Sequence, residues 1–109
     1  MIKVFVYTDK NDCITGFRLC GHAGYANAGK DIVCSAVSML VINTINSIQT
    51  FTSDTFTYQE DEKTATIEFH MDHTDGDSEL LLKALKLGLD SVRKEYGKKY
   101  IDVKVVQNS

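Results

Sequence analysis

The chain of 109 residues is one domain's worth of sequence, long enough to bury a core, and no linker, repeat or proline divides it. Its 12 Lys and Arg against 15 Asp and Glu leave a formal charge of -3, which excludes a basic field that would collect nucleic acid directly. The odd set Cys13, Cys20 and Cys34 reads as free thiols of a reducing compartment, and "MIKVFVYTDK" lacks a secretory core, so a single soluble, cytoplasmic domain over 1–109 is expected, without membrane contact.

Taken in chain order, "IKVFVYT" over 2–8 and "ITGFRLC" over 14–20 alternate as two strands of a hairpin around the polar tip Asp9 to Asp12, with Gly16 marking a bulge. From Ile32 the period changes. Val33, Val37, Leu40, Val41, Ile45 and Ile48 recur three or four apart, as in a well-buried amphipathic helix that starts after Asp31 and ends near Thr50. Ser35, Ser38, Asn43, Thr44, Asn46 and Ser47 interrupt this window, which falls short of the roughly 20 apolar residues a membrane span needs.

The run "TFTYQEDEKTATIEFHM" reads as a second hairpin around an acidic turn at Glu60 to Lys63. Ala65, Ile67, Phe69 and Met71 point one way and Thr66, Glu68 and His70 the other. After "HTDGD", Asp77 or Ser78 caps a second helix that turns Leu81, Leu85, Leu89, Val92 and Tyr96 inward and stops at Gly97. "YIDVKVV" is the last strand. The acidic groups Glu60 to Glu62 and Asp72, Asp75, Asp77 and Glu79 read as solvated turns. The order ββαββαβ predicts an α+β two-layer sandwich, two helices packed on one face of a mostly antiparallel sheet.

The stretch "GHAGYANAGKDIVCSAVS", 21–38, holds three chemistries in prospect. Gly24, Gly29 and Lys30 nearly satisfy a phosphate-loop pattern, but Asp31 stands where a magnesium-binding hydroxyl belongs and would repel phosphate. Cys20 and His22 form one close pair beside Cys34, His70 and His73, yet no second close pair completes a zinc site, so no metal is assigned. The third chemistry is nucleophilic. With Asp31 as N-cap, Cys34 is the third helical residue, inside a turn whose unpaired N–H groups favour the thiolate. His22 shares its loop-helix unit and could protonate a leaving amine, while loop or helix amides stabilise an oxyanion. Gly21, Gly24 and Gly29 would let main chain approach a substrate. No cofactor is called for.

Each residue has a plainer reading. A free cysteine is commonly a packed core residue, a loop histidine a surface residue, and Asp31 a cap rather than a third member orienting His22. Cys13 and Cys20 read as strand residues, His70 and His73 as surface ones.

The segment "GHAGYANAGKDIVCSAVSML" resembles the ribosomal-processing cysteine protease family, in which a G-H-A element is followed by G-x-D-I-V-C-A-A-V-S at a helix start. Gly21, His22 and Ala23 match the first element; Gly29, Asp31, Ile32, Val33, Cys34, Ala36, Val37 and Ser38 match the second, and Ser35 replaces the commoner alanine. The resemblance implies that Cys34 is the nucleophile and His22 its partner, with Asp31 close by. It implies a homodimer, a mobile loop between His22 and Cys34, and a substrate that is the N-terminal extension of a large-subunit ribosomal protein precursor, cut after an aromatic pair. Ala23 and Ser38 join the three glycines as substrate-binding candidates. Tyr25, Val33, Val37 and Phe17 are close enough in sequence to help line an apolar groove for such a peptide. The alternative function is a non-catalytic ribosome-associated module binding protein or RNA, in which Cys34 merely packs; a small-molecule thiol enzyme is the third option.

Overall fold

The computed structural model describes residues 1–27, 30–73 and 76–107. Strands β1 (Ile2–Thr8) and β2 (Ile14–Cys20) form the first hairpin, helix α1 spans Ile32–Phe51, strands β3 (Phe56–Asp61) and β4 (Thr66–Met71) form the second hairpin, helix α2 spans Gly76–Tyr96, and β5 covers Ile101–Gln107. The five strands make one sheet in the order β3-β4-β2-β1-β5. Three pairings are antiparallel; β5 alone runs parallel to its neighbour β1. The expected α+β sandwich is therefore observed.

Alternation assigns the faces. Ile2, Val4 and Val6 of β1 are buried while Lys3 is exposed. In β2 the alternation changes phase, because Tyr7 pairs with Gly16 and Thr8 with Ile14, leaving Thr15 as the extra residue of a bulge beside Gly16. The bulge lets both Ile14 and Phe17 face the core, three positions apart. Phe17 stacks on Phe69 of β4 with centroids 5.1 Å apart, and Phe56 of β3 packs on Phe69 at 4.9 Å.

Both helices close over this face. From α1 come Val33, Val37, Val41, Thr44 and Ile48, and from α2 Leu82, Leu85, Leu89 and Val92. Each fully buried Val or Leu contributes about 1.5–3 kcal/mol. Thr44 satisfies its hydroxyl on the Leu40 carbonyl at 2.7 Å, which makes a polar group acceptable in the stripe.

Several boundaries and faces depart from the periodicity. Leu82, not Leu81, belongs to the central row of α2, and Leu81 and Tyr96 pack at the core's margin. Asp77 and Ser78 lie inside α2, which begins at Gly76. Ser78 is fully buried, its hydroxyl bonded to the Asp54 carboxylate and to Thr52 Oγ1 at 3.4 Å, so a serine that reads as a cap instead ties α2 to the end of α1. Glu60 and Asp61 belong to β3. The turn falls at Glu62 to Ala65, where Ala65 takes φ 51° and its N–H bonds Glu62 O. The expectation that the Ile32 window is too short and polar for a span is also corrected. α1 has 20 residues and its most apolar window averages a hydropathy of 1.5, enough by length and composition to cross a membrane. Its valine stripe faces the sheet instead.

Candidate active site

The site lies where β2 ends over the start of α1. Gly21 leaves the strand with φ 91°, its N–H bonded to Ala65 O at 3.2 Å. A Cβ there would stand 2.5 Å from the Met1 carbonyl oxygen, so glycine is needed for both conformation and space. This turn sends His22 to the surface and buries Ala23, which is 3% exposed.

Asp31 is the N-cap of α1, with φ −83° and ψ 99°. Its Oδ1 accepts the Cys34 N–H at 3.0 Å; its Oδ2 accepts the Tyr25 N–H at 3.0 Å and the Ala26 N–H at 3.5 Å. These amides, the Cys34 one foremost, hold the carboxyl below the ordinary carboxylate range against the opposing effect of burial. The resemblance of "GYANAGKD" to a phosphate loop thus has a physical basis: loop amides do cradle an anion, and the anion is the chain's own Asp31. No bond joins Asp31 to His22 among the described residues.

Cys34, half-buried in the first turn of α1, receives the Ala23 backbone N–H on Sγ at 3.3 Å. His22 and Cys34 border one cavity of about 550 Å³, together with Gly24, Asp31, Ser38 and Met39. A second cavity of about 160 Å³ also touches His22, Cys34 and Ser38. Its walls include Gly21, Val37, Ile67 and Glu60. Ser38 reaches both because it stands one helical turn beyond Cys34. Among the described residues the His22 ring makes no hydrogen bond to Sγ; the two side chains face a shared space, and such contacts commonly tighten only with substrate bound.

The other expected residues divide. Tyr25 does not border either cavity; its ring packs edge-on against Tyr96 at 5.7 Å and Tyr100 at 5.0 Å. Val33 and Phe17 are core residues, while Val37 does reach the smaller cavity. Gly29 lies outside the described residues. Burial and the carboxylates of Asp9 and Glu79 push the Cys13 thiol up, away from thiolate chemistry. His70 stacks on Tyr7 on the sheet face opposite the helices. The sequence pattern left out Met39 and Glu60. Met39 follows from its helical spacing to Ser35, which borders the same cavity, but nothing local in the sequence places β3 beside Cys34.

A half-buried thiol at a helix start, an amide aimed at its sulfur and a histidine across a common cleft define a small α+β thiol enzyme. The family described as cysteine protease Prp matches residues 1–102, and the chain belongs to that family. A curated relative, the ribosomal processing cysteine protease Prp of Staphylococcus aureus, is 26% identical over 99 residues, covering 88% of this chain and 92% of its own. The crystal structure of that organism's Prp with a covalently linked product peptide superposes with a TM-score of 0.92 at 24% identity, covering 97% of this chain and 100% of its own. SMU.848 from Streptococcus mutans gives a TM-score of 0.84 at 27% identity, covering 99% of this chain and 96% of its own.

Proposed function

We propose that Cys34 and His22 form the dyad of an endopeptidase that removes the N-terminal extension of a large-subunit ribosomal protein precursor, cutting after an aromatic pair. The observation that carries this reading is the common cleft of the two side chains at the start of α1. Cys34 Sγ attacks the scissile carbonyl; His22 gives its proton to the leaving amine and then draws one from the hydrolytic water. Asp31 acts as cap and loop fastener. The likeness to relatives described as ribosomal processing proteases supports the substrate class.

The chain acts as a cytoplasmic homodimer in this proposal. Its three free cysteines suit a reducing compartment. The exposed Ile32 and Ile42 on the outer face of α1 offer apolar surface for a second copy, and sedimentation equilibrium tests the dimer.

Incubation with the full-length precursor of the same organism, read by mass spectrometry, tests the activity. One cut near the precursor's N-terminus is expected, and Cys34→Ala should lower kcat/KM by about 10⁴-fold or more. An uncut precursor, or equal cleavage by C34A, overturns the reading.

A further inference from the structure

Attack of a thiolate on a carbonyl places negative charge on the carbonyl oxygen, and donors about 2.7–3.1 Å from that oxygen stabilise it. For a nucleophile in the first turn of a helix, the obvious donors are the helix's own free amides. Here those of Cys34 and Ser35 are engaged. The Cys34 N–H is held by Asp31 Oδ1 at 3.0 Å, the Ser35 N–H by Asp31 O at 3.0 Å, and the Tyr25 and Ala26 amides by Asp31 Oδ2. The Ala23 N–H alone among these neighbours points at the sulfur, at 3.3 Å, from a residue 3% exposed.

We propose that the Ala23 backbone N–H is the oxyanion donor, supporting the thiolate before attack and the carbonyl oxygen after it. The inference rests on the peptidase reading above. In the step, a sulfur lone pair forms the C–S bond and the carbonyl π pair moves onto oxygen. The sulfur becomes a thioether, a poorer acceptor, and the new oxyanion stands one atom away on the shared carbon. The Ala23 hydrogen bond passes from sulfur to oxygen without transfer of its proton. On collapse the oxygen pair re-forms the carbonyl, the C–N bond breaks, and the amine takes its proton from the His22 imidazolium, leaving an acyl thioester. Water, losing a proton to His22, then releases the acid and restores the thiolate and imidazolium. The Gly21 turn serves this donor: pinned by Met1 and Ala65, it fixes the peptide plane that precedes Ala23 by one residue.

Cys20 and Cys34 bracket the segment, so residues 20–33 can be supplied as a synthetic peptide and ligated at those two cysteines into the full chain. An ester in place of the 22–23 amide deletes only this N–H. Against the all-amide protein made the same way, kcat on the precursor peptide is expected to fall by about 10²–10³-fold with KM little changed. The loss should persist at a pH where alkylation of Cys34, followed by mass spectrometry, has reached its plateau. A kcat within about three-fold of the all-amide protein overturns the assignment, as does full recovery at that plateau, which would confine the amide to the thiolate. Either result leaves the peptidase reading standing so long as C34A is inactive; an all-amide protein that cuts nothing removes both. If the ester protein does not fold, nuclear magnetic resonance of the wild-type chain with a peptide aldehyde decides. The Ala23 amide proton should move downfield in the hemithioacetal while the Cys34 amide stays, and the reverse pattern overturns the proposal.

Discussion

Asp31 Oδ1 accepts the backbone N–H of Cys34 at 3.0 Å, and the same carboxylate reaches back through Oδ2 to the Tyr25 N–H at 3.0 Å. One side chain therefore starts the helix that carries the nucleophile and fastens the loop that carries His22. Asp31→Ala releases both, Asp31→Asn only the second, since its amide group cannot accept from Tyr25. D31A should lower kcat/KM by about 10²-fold, the scale on which a shift of about 1 Å acts, and D31N by less. The carboxyl sits below its ordinary value in the folded chain, so its contribution to stability is present above pH 3.8 and is lost as pH falls through the folded value. Urea denaturation at neutral and at acid pH checks this: D31N should weaken the protein at neutral pH and lose less than the wild type on acidification.

Gly21 and Gly24 both take positive φ, 91° and 71°, but only at Gly21 is there a neighbour within 4 Å of an added Cβ. Gly24→Ala should cost only backbone strain, about 1–2 kcal/mol in a denaturation midpoint. Gly21→Ala adds a collision with the Met1 carbonyl and displaces His22 with it. Its kcat/KM should fall well beyond that of G24A at equal folded fraction, and equal losses in the two variants would show that the Met1 contact positions nothing.

The Tyr25 ring, set edge-on to Tyr96 and Tyr100, anchors the loop to the end of α2 and the approach to β5. Each such aromatic pair is worth about 0.5–1.5 kcal/mol beyond burial. Tyr100→Ala should speed hydrogen exchange at Gly24 to Asn27 and lower kcat, whereas Tyr100→Phe, which keeps the ring, should restore both. Unchanged exchange in Y100A would detach the aromatic cluster from the site.

The element order was legible because elements carry their own period: β1 alternates throughout, β4 alternates over Phe69 to Met71, and α1 repeats its valines at helical spacing. Cys34 and Asp31 were legible for the same local reason, since an N-cap three residues before a cysteine needs no tertiary information. The role of Tyr25 was not. Its partners Tyr96 and Tyr100 lie some seventy residues away, and no periodicity records such a contact. Glu60 reaches the smaller cavity through the pairing of β3 with β4, equally invisible to local pattern, and Ser78 reads as a cap because its half-buried partner Asp54 stands in another loop.

On the sheet face away from the helices, Glu68 Oε1 accepts the Tyr7 hydroxyl at 2.8 Å and meets His70 Nε2 at 2.9 Å, while the Tyr7 and His70 rings stack at 5.1 Å. Burial first, then the bond to Glu68 and its negative charge, push the Tyr7 phenol up from 10.0 to about 12, with Arg18 opposing. Because the folded value lies above the unfolded one, the folded chain holds this proton more tightly. The resulting stability is complete below about pH 10 and is lost as pH rises through about 12. Spectrophotometric titration of the wild type against Tyr7→Phe isolates this phenol among the five tyrosines. It should titrate near 12, and Glu68→Gln, which keeps an acceptor oxygen but removes the charge, should bring it only part of the way down because burial remains. Y7F should also lose less stability than the wild type between about pH 10 and 12, with kcat near neutral pH unchanged, since the cluster and the thiol lie on opposite faces of the sheet. A Tyr7 that ionises near 10 would mean that neither burial nor Glu68 holds its proton in solution.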